Sequence, residues 1–273
     1  MRFLKLTFSY MGKNFLYLFL FSLIPAIFFG LTLSPFKLIE FINTYSQVPV
    51  VAFGSIFKAM FPLGILQLLI ILVTILLLAI FVSAILGQME HHFRSGKLNL
   101  PAIKDHVNSN ILILLANIGL LFVVYFILTF SISAILFLLH LLLSGLNTSP
   151  TVFNVILSNI IVSITLILYA IIAHIVLLNI SNMINNGIEL RYSLSETIKL
   201  TQKNTFLLTV TVLVPYVFFS IFVSLFVNTS ILPLINVIGV LFLLMYYSSF
   251  AMTSYFELSK LERYDNRKKY FRK

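Results

Sequence analysis

Apolar residues in this chain gather into long blocks, separated by short stretches that hold nearly all of the charge. Six blocks stand out: residues 15–33, 63–86, 111–143, 152–180, 205–227 and 231–256. A helix rises 1.5 Å per residue, so each block can cross a hydrocarbon core of about 30 Å. The pattern predicts six membrane-spanning helices. The third block, at 33 residues, would run roughly 50 Å. Two spans and a turn would need roughly 40 residues, so one tilted or protruding helix is expected there.

One stretch is patterned most clearly: SLSETIKLTQKNTFLLTVTVLVPYVFF, from Ser193 to Phe219. It reads as a short amphipathic helix, a polar hinge ending at Asn204, and a span interrupted by Pro215. Ser193 and Glu196 have the spacing of a capping box, and Leu194 and Ile198 share a helical face. The start of the chain repeats this layout. Lys13-Asn14 aligned on Lys203-Asn204 sets Leu18 on Leu208, Leu23 on Leu213 and Pro25 on Pro215. A weaker middle copy has its hinge at Asn110, with Leu121 where the proline would stand.

Each copy opens with a candidate interfacial helix, carrying Leu4, Phe8 and Met11 in the first and Ile103 and Val107 in the second. Such helices lie flat because their apolar stripe prefers lipid while their Lys and Asn side chains prefer water. The second helix of each pair begins near Pro62, Pro150 or Pro233. The expected unit is an elbow helix followed by a helical hairpin. It occurs three times, over residues 1–97, 98–190 and 191–260, before a basic tail from 260 to 273. Parallel repeats of this kind imply a pseudo-threefold arrangement about the membrane normal. The expected fold class is an all-α integral membrane protein, with one membrane domain over residues 1–273.

Sixteen of the 18 Lys and Arg residues fall on one side of this topology, leaving only Lys37 and Lys58 on the other. The positive-inside rule then places both termini in the cytoplasm of a cell membrane. The basic and apolar start exceeds the length of a signal-peptide core and lacks a small-x-small cleavage site, so it reads as an uncleaved first span. On the outer side, residues 144–151 and 228–230 make short connections and residues 34–61 a long one. In the long one Ser34 can cap a helix with Pro35 in its first turn, Phe36, Ile39 and Tyr45 can lie on the membrane, and residues 47–61 can dip into it.

Composition supports the same class. The chain is 60% hydrophobic and 10% charged, with mean hydropathy +1.07. Soluble domains carry about 25% charged residues, so ordinary globular packing is excluded. The absence of cysteine removes disulfides, thiolate nucleophiles and Cys-ligated metal sites. The net charge of +10 could suggest nucleic acid, but seven basic residues cluster at 260–273, just past the last span. That position points to anionic lipid headgroups instead.

The segments SLSETIKLTQKNTFLLTVTVLVP, GQMEHHFRSGKLNLPAIKDHVNSN and SYFELSKLERYDNRKK resemble elements of a broad group of bacterial six-span membrane proteins. The group includes stand-alone proteins of unknown function and the membrane domain attached to some glycerophosphodiester phosphodiesterases. The likeness extends over nearly the whole chain. It implies a six-helix fold and a lipid-related setting. No phosphodiesterase domain is present, so no catalytic residues carry over.

Intramembrane ionisable groups are the usual sign of chemistry in such proteins. The six spans hold no Asp, Glu, Lys or Arg, which leaves His140 and His174 as the intramembrane polar candidates. Their simplest role is hydrogen bonding to backbone or hydroxyl groups. Glu90, His91, His92 and Arg94 follow span two, but adjacent histidines diverge by about 100° on a helix and share no ligand face. No G-x-S-x-G, P-loop, G-x-G-x-x-G or H-E-x-x-H motif occurs. Gln67, Asn117, Ser131, Ser133, Ser158, Asn159 and Ser163 are expected to join helices. Pro25 and Pro215 each free a carbonyl and mark candidate bends. Arg94, Lys97, Lys199, Lys203 and Arg263 are the candidate headgroup contacts.

Three functions compete. The first is a non-enzymatic membrane protein that engages lipids or an envelope partner, without catalytic residue, cofactor or metal. The second is a transporter or permease subunit for a lipid-like or apolar substrate, partnered by an ATPase or another membrane subunit. The third is an enzyme with a surface site built from Glu90, His91 or Asp105.

Overall fold

The structure, a computed structural model, describes residues 2–32, 36, 53–54, 57, 64–144 and 150–265; the side chains of 139–140, 142–155, 157–158 and 161–162 are not described. Among the described residues eight helices have their full bounds: α1 (Arg2–Lys13), α2 (Phe15–Thr32), α3 (Ile65–Ser95), α4 (Ile103–Ser144), α5 (Pro150–Asn186), α6 (Leu190–Thr201), α7 (Thr205–Ser224) and α8 (Leu232–Leu258). Short 3₁₀ turns at Leu100–Ala102 and Gln202–Asn204 precede α4 and α7. No strand occurs among the described residues. Six of the helices, all but α1 and α6, are long and apolar enough to cross a membrane.

Glycines stop two of the long helices. α3 ends at Gly96, where φ of 76° lets the backbone turn and the N–H bond back to His92 O. α5 ends likewise at Gly187, φ 64°, whose N–H reaches Met183 O. Both are left-handed caps that an L side chain would strain.

The spans pack as a closed sequence of neighbours: α2 on α3, α3 on α4, α4 on α5, α5 on α7, α7 on α8, and α8 back on α2. α3, α5 and α8 also pack on one another, so they form an inner layer within α2, α4 and α7. α8 is the most enclosed span and α4 the least. Leu16, Ile65, Leu112 and Phe206 are among the large apolar side chains left outside; lipid tails are as apolar as these groups and solvate them without cost. Close approaches need small residues. Gly30 lies against the Val237 backbone, and Gly239 beneath the Phe36 ring.

The short helices dock on the ends of inner ones. α1 packs on α8, α6 on α5, and the first turns of α4 on α3. Since α3, α5 and α8 run in the same direction, these dockings share one end of the bundle, which also carries both ends of the described chain.

Three features differ from the sequence reading. The middle elbow is not a separate helix: residues 103–110 continue directly into the span as α4, which at 42 residues is about 63 Å long. At the first hinge the Asn14 amide bonds back to Tyr10 O at 3.1 Å, competing with the helix ladder. Asn110 is buried and packs at Gly87 instead, so no turn opens there. The capping box also does not form. α6 starts at Leu190, after Glu189, which makes no side-chain cap; Ser193 is already helical, and Glu196 turns to Asn182. Finally, Pro25 and Pro215 lie buried inside uninterrupted helices. Of the expectations for residues 34–61, only Phe36, Phe53, Gly54 and Phe57 fall within the described residues.

Candidate functional site

Two polar clusters that tie helices together lie where α3, α5 and α8 end. Asn182 of α5 is the centre of one cluster and is 1% exposed. Its Nδ2 donates to Ser193 O at 3.2 Å, to Glu196 Oε2 at 3.2 Å and to Thr197 Oγ1 at 3.3 Å. Its Oδ1 accepts from Asn186 Nδ2 at 2.7 Å and from the Tyr255 hydroxyl at 3.0 Å. One amide thus ties α6, α5 and α8 together with its hydrogen-bonding capacity filled. Asn186 also donates to Tyr255, and Arg94 of α3 reaches Asn185 O at 2.9 Å while pairing with Glu90 at 3.0 Å.

A second cluster joins α1, α2, α3 and the segment after α8. The Tyr10 hydroxyl meets the Tyr17 hydroxyl at 2.8 Å and His92 Nδ1 at 3.0 Å. Burial pushes the Tyr10 phenol above its ordinary range against the opposing effect of the Tyr17 bond, so it stays a neutral hydroxyl. The Arg263 guanidinium lies 4.1 Å from the Phe93 ring centre and 5.8 Å from that of Tyr10. Asp265 holds it through two oxygens, at 2.8 and 3.2 Å. α1 is further fixed on α8 by an Arg2–Glu257 ion pair and a Thr7–Thr253 contact.

Among the five basic residues singled out in the sequence, Lys97, Lys199 and Lys203 are exposed at this end. Arg94 is half-exposed but engaged by Glu90 and Asn185, and Arg263 is folded inward, its side chain 11% exposed. His174 is buried in α5, with Nδ1 3.1 Å from Ala170 O and 3.3 Å from Thr209 Oγ1. His140 lies on α4 with its side chain outside the description. Asn117 joins α4 to α5 through Asn179 at 2.8 Å. Ser131 and Ser163 bond within their own helices instead.

Sequence reading passed over Asn182, Tyr255 and Tyr10. The run Asn179, Asn182, Asn185 and Asn186, spaced to share a helical face at the end of a span, was the available signal.

Together these features define a multi-pass membrane protein with six candidate spans among the described residues and two polar clusters at one end of the bundle. No family model, curated protein or solved structure matches the chain.

Proposed function

We propose that the protein is a non-enzymatic component of the cytoplasmic membrane that engages anionic lipids through its elbow helices, with both termini in the cytoplasm. The observation that carries this reading is the make-up of α1 and α6. Each is docked at the same end of the bundle and exposes apolar and basic side chains together: Lys5, Phe8 and Lys13 on α1, Tyr192, Ile198 and Lys199 on α6, and Lys203 just after it. A helix of this kind rests at headgroup depth, its apolar groups among acyl chains and its cations at phosphates.

The three-unit reading belongs to the same proposal. It is supported by the order of packing, in which the first span of each unit meets the second span of the unit before it, α2 closing on α8. The docking of α1, the start of α4 and α6 follows the same rotation. Under the alignment on the two hinges, Phe3 corresponds to Ser193 and Thr7 to Thr197, and all four are buried. Kinship with the membrane domain attached to some glycerophosphodiester phosphodiesterases is likewise proposed, on the segments quoted above.

Native mass spectrometry from nanodiscs of mixed phosphatidylglycerol and phosphatidylcholine tests the lipid reading. Each basic contact contributes about 1 kcal/mol near an anionic surface, so Lys199→Glu with Lys203→Glu should lower anionic-lipid retention at least tenfold. Equal retention of the two lipids by the wild type would refute it. A reporter fused at either terminus reads the orientation.

A further inference from the structure

Five buried polar atoms without a hydrogen-bond partner lie in one band of the bundle: Ser22 Oγ, Ser83 Oγ, His174 Nε2, Asn179 Oδ1 and Ser249 Oγ. All five residues are 0% exposed. Their depth follows from contacts with α8. Gly30 abuts Val237, which sets Ser22 on antiparallel α2 level with Met245. The Phe93 and Phe256 rings meet, which sets Ser83 on parallel α3 level with Tyr246. Asn185 reaches Met252 and Tyr255 reaches Asn182, so His174 falls between Leu241 and Tyr247, and Asn179 between Tyr246 and Met252. Ser249 is in the same band. The three inner helices and α2 all contribute.

The hydroxyls of Ser131, Ser163 and Ser181 return to their own helix, to Ile127 O, Asn159 O and Leu177 O. Those of Ser22, Ser83 and Ser249 do not. His174 faces the Ala170 carbonyl with Nδ1, so that nitrogen carries the proton and Nε2 is left as an acceptor. Buried polar atoms in native proteins find partners in protein or in ordered water. No Lys, Arg, Asp or Glu occurs in these helices at this depth, so the partner is neutral.

We propose that α2, α3, α5 and α8 enclose a hydrated site at this depth, which binds small neutral hydrogen-bonding molecules and has water as its resident. The three hydroxyls donate or accept, while His174 Nε2 and Asn179 Oδ1 accept. The site is independent of lipid engagement at the elbows, and it suits the permease reading better than a purely structural one.

Radiolytic labelling of the wild-type protein in proteoliposomes tests it, because hydroxyl radicals form at bound water and modify adjacent side chains. Met245 and Tyr246, both buried, should be modified at least tenfold faster than lipid-facing Ile24 and Leu72 once each rate is divided by the intrinsic reactivity of its side-chain type. The chain has no native cysteine, so Ser22→Cys, Ser83→Cys and Ser249→Cys give a second readout. Each should react with a small hydrophilic methanethiosulfonate at least tenfold faster than Ile24→Cys and Leu72→Cys. Either signal upholds the site. Absence of both overturns it, whatever the lipid experiment shows.

Discussion

The Tyr246 hydroxyl donates to the Thr211 carbonyl at 2.9 Å, and this is the carbonyl that Pro215 leaves without a helical donor. Proline has no N–H, so the acceptor one turn back is orphaned inside an apolar bundle. α8 supplies the missing donor to α7, and the neighbouring Tyr247 adds a bond to Val212 O at 3.0 Å. Tyr246→Phe should therefore cost about 1 kcal/mol, within the 1–2 kcal/mol range seen for interhelical bonds in membranes. In a Pro215→Ala background, where the N–H is restored, the same change should cost less. Unfolding of the four proteins in mixed micelles gives the coupling; additive effects would contradict this pairing.

Gly87 and Gly119 should respond to alanine with opposite signs. A Cβ at Gly87 would come within 2.5 Å of His106 Cβ and 2.7 Å of its Cγ, whereas at Gly119 nothing lies within 4 Å. Alanine in a helix interior normally gains about 1 kcal/mol over glycine. Gly119→Ala should show a gain of that order, while Gly87→Ala, forced against α4, should lose about 1–3 kcal/mol. Adding His106→Gly, which removes the Cβ in the way, should return part of the loss, as measured by thermal inactivation of the purified protein in detergent.

The number of spans, the hinges at Asn14 and Asn204 and the helical nature of residues 193–201 were legible because lipid imposes a length and an apolar composition on any helix that crosses it. The role of Pro215 was legible only in part: the freed carbonyl follows from its ring, but its partner, Tyr246, comes from another helix and leaves no local signal. The capping box failed for a related reason. Ser193 and Glu196 have the right spacing, yet Asn182 draws Ser193 O and Glu196 into an interhelical network, and tertiary bonding overrides a local motif. Likewise Arg263, which the charge pattern offers to headgroups, has Asp265 two residues on and a ring of α3 beneath it.

Arg263 anchors the segment after α8, so its loss should release that segment before it affects the bundle. Lys260, with φ of 55°, turns the chain back, and Tyr264 O lies against the bend at Gly96. A desolvated cation–π contact is worth about 2 kcal/mol. Arg263→Ala and Asp265→Ala should each speed clipping of the C-terminal segment by a non-specific protease several-fold, with global stability falling by about 1–2 kcal/mol. Arg263→Lys keeps the charge but loses the planar fork that grips Asp265, and should fall between. Unchanged clipping in all three would show that the segment is held elsewhere.

Asn182 is where a single substitution should loosen an elbow helix. Asn182→Leu preserves approximate volume but removes donors to Ser193, Glu196 and Thr197 and the acceptor used by Asn186 and Tyr255. A buried group left unpaired costs about 1–3 kcal/mol, and here several lose their partner at once. The expected loss is about 3 kcal/mol, concentrated in α6. Hydrogen exchange should accelerate across Leu190–Thr201 far more than in α1, whose anchors on α8, Arg2–Glu257 and Thr7–Thr253, do not involve Asn182. Asn182→Gln retains the amide but displaces it by a methylene, and should recover only part of the protection. Equal acceleration of α1 and α6 would mean that Asn182 supports the whole bundle end, and not the docking of one elbow.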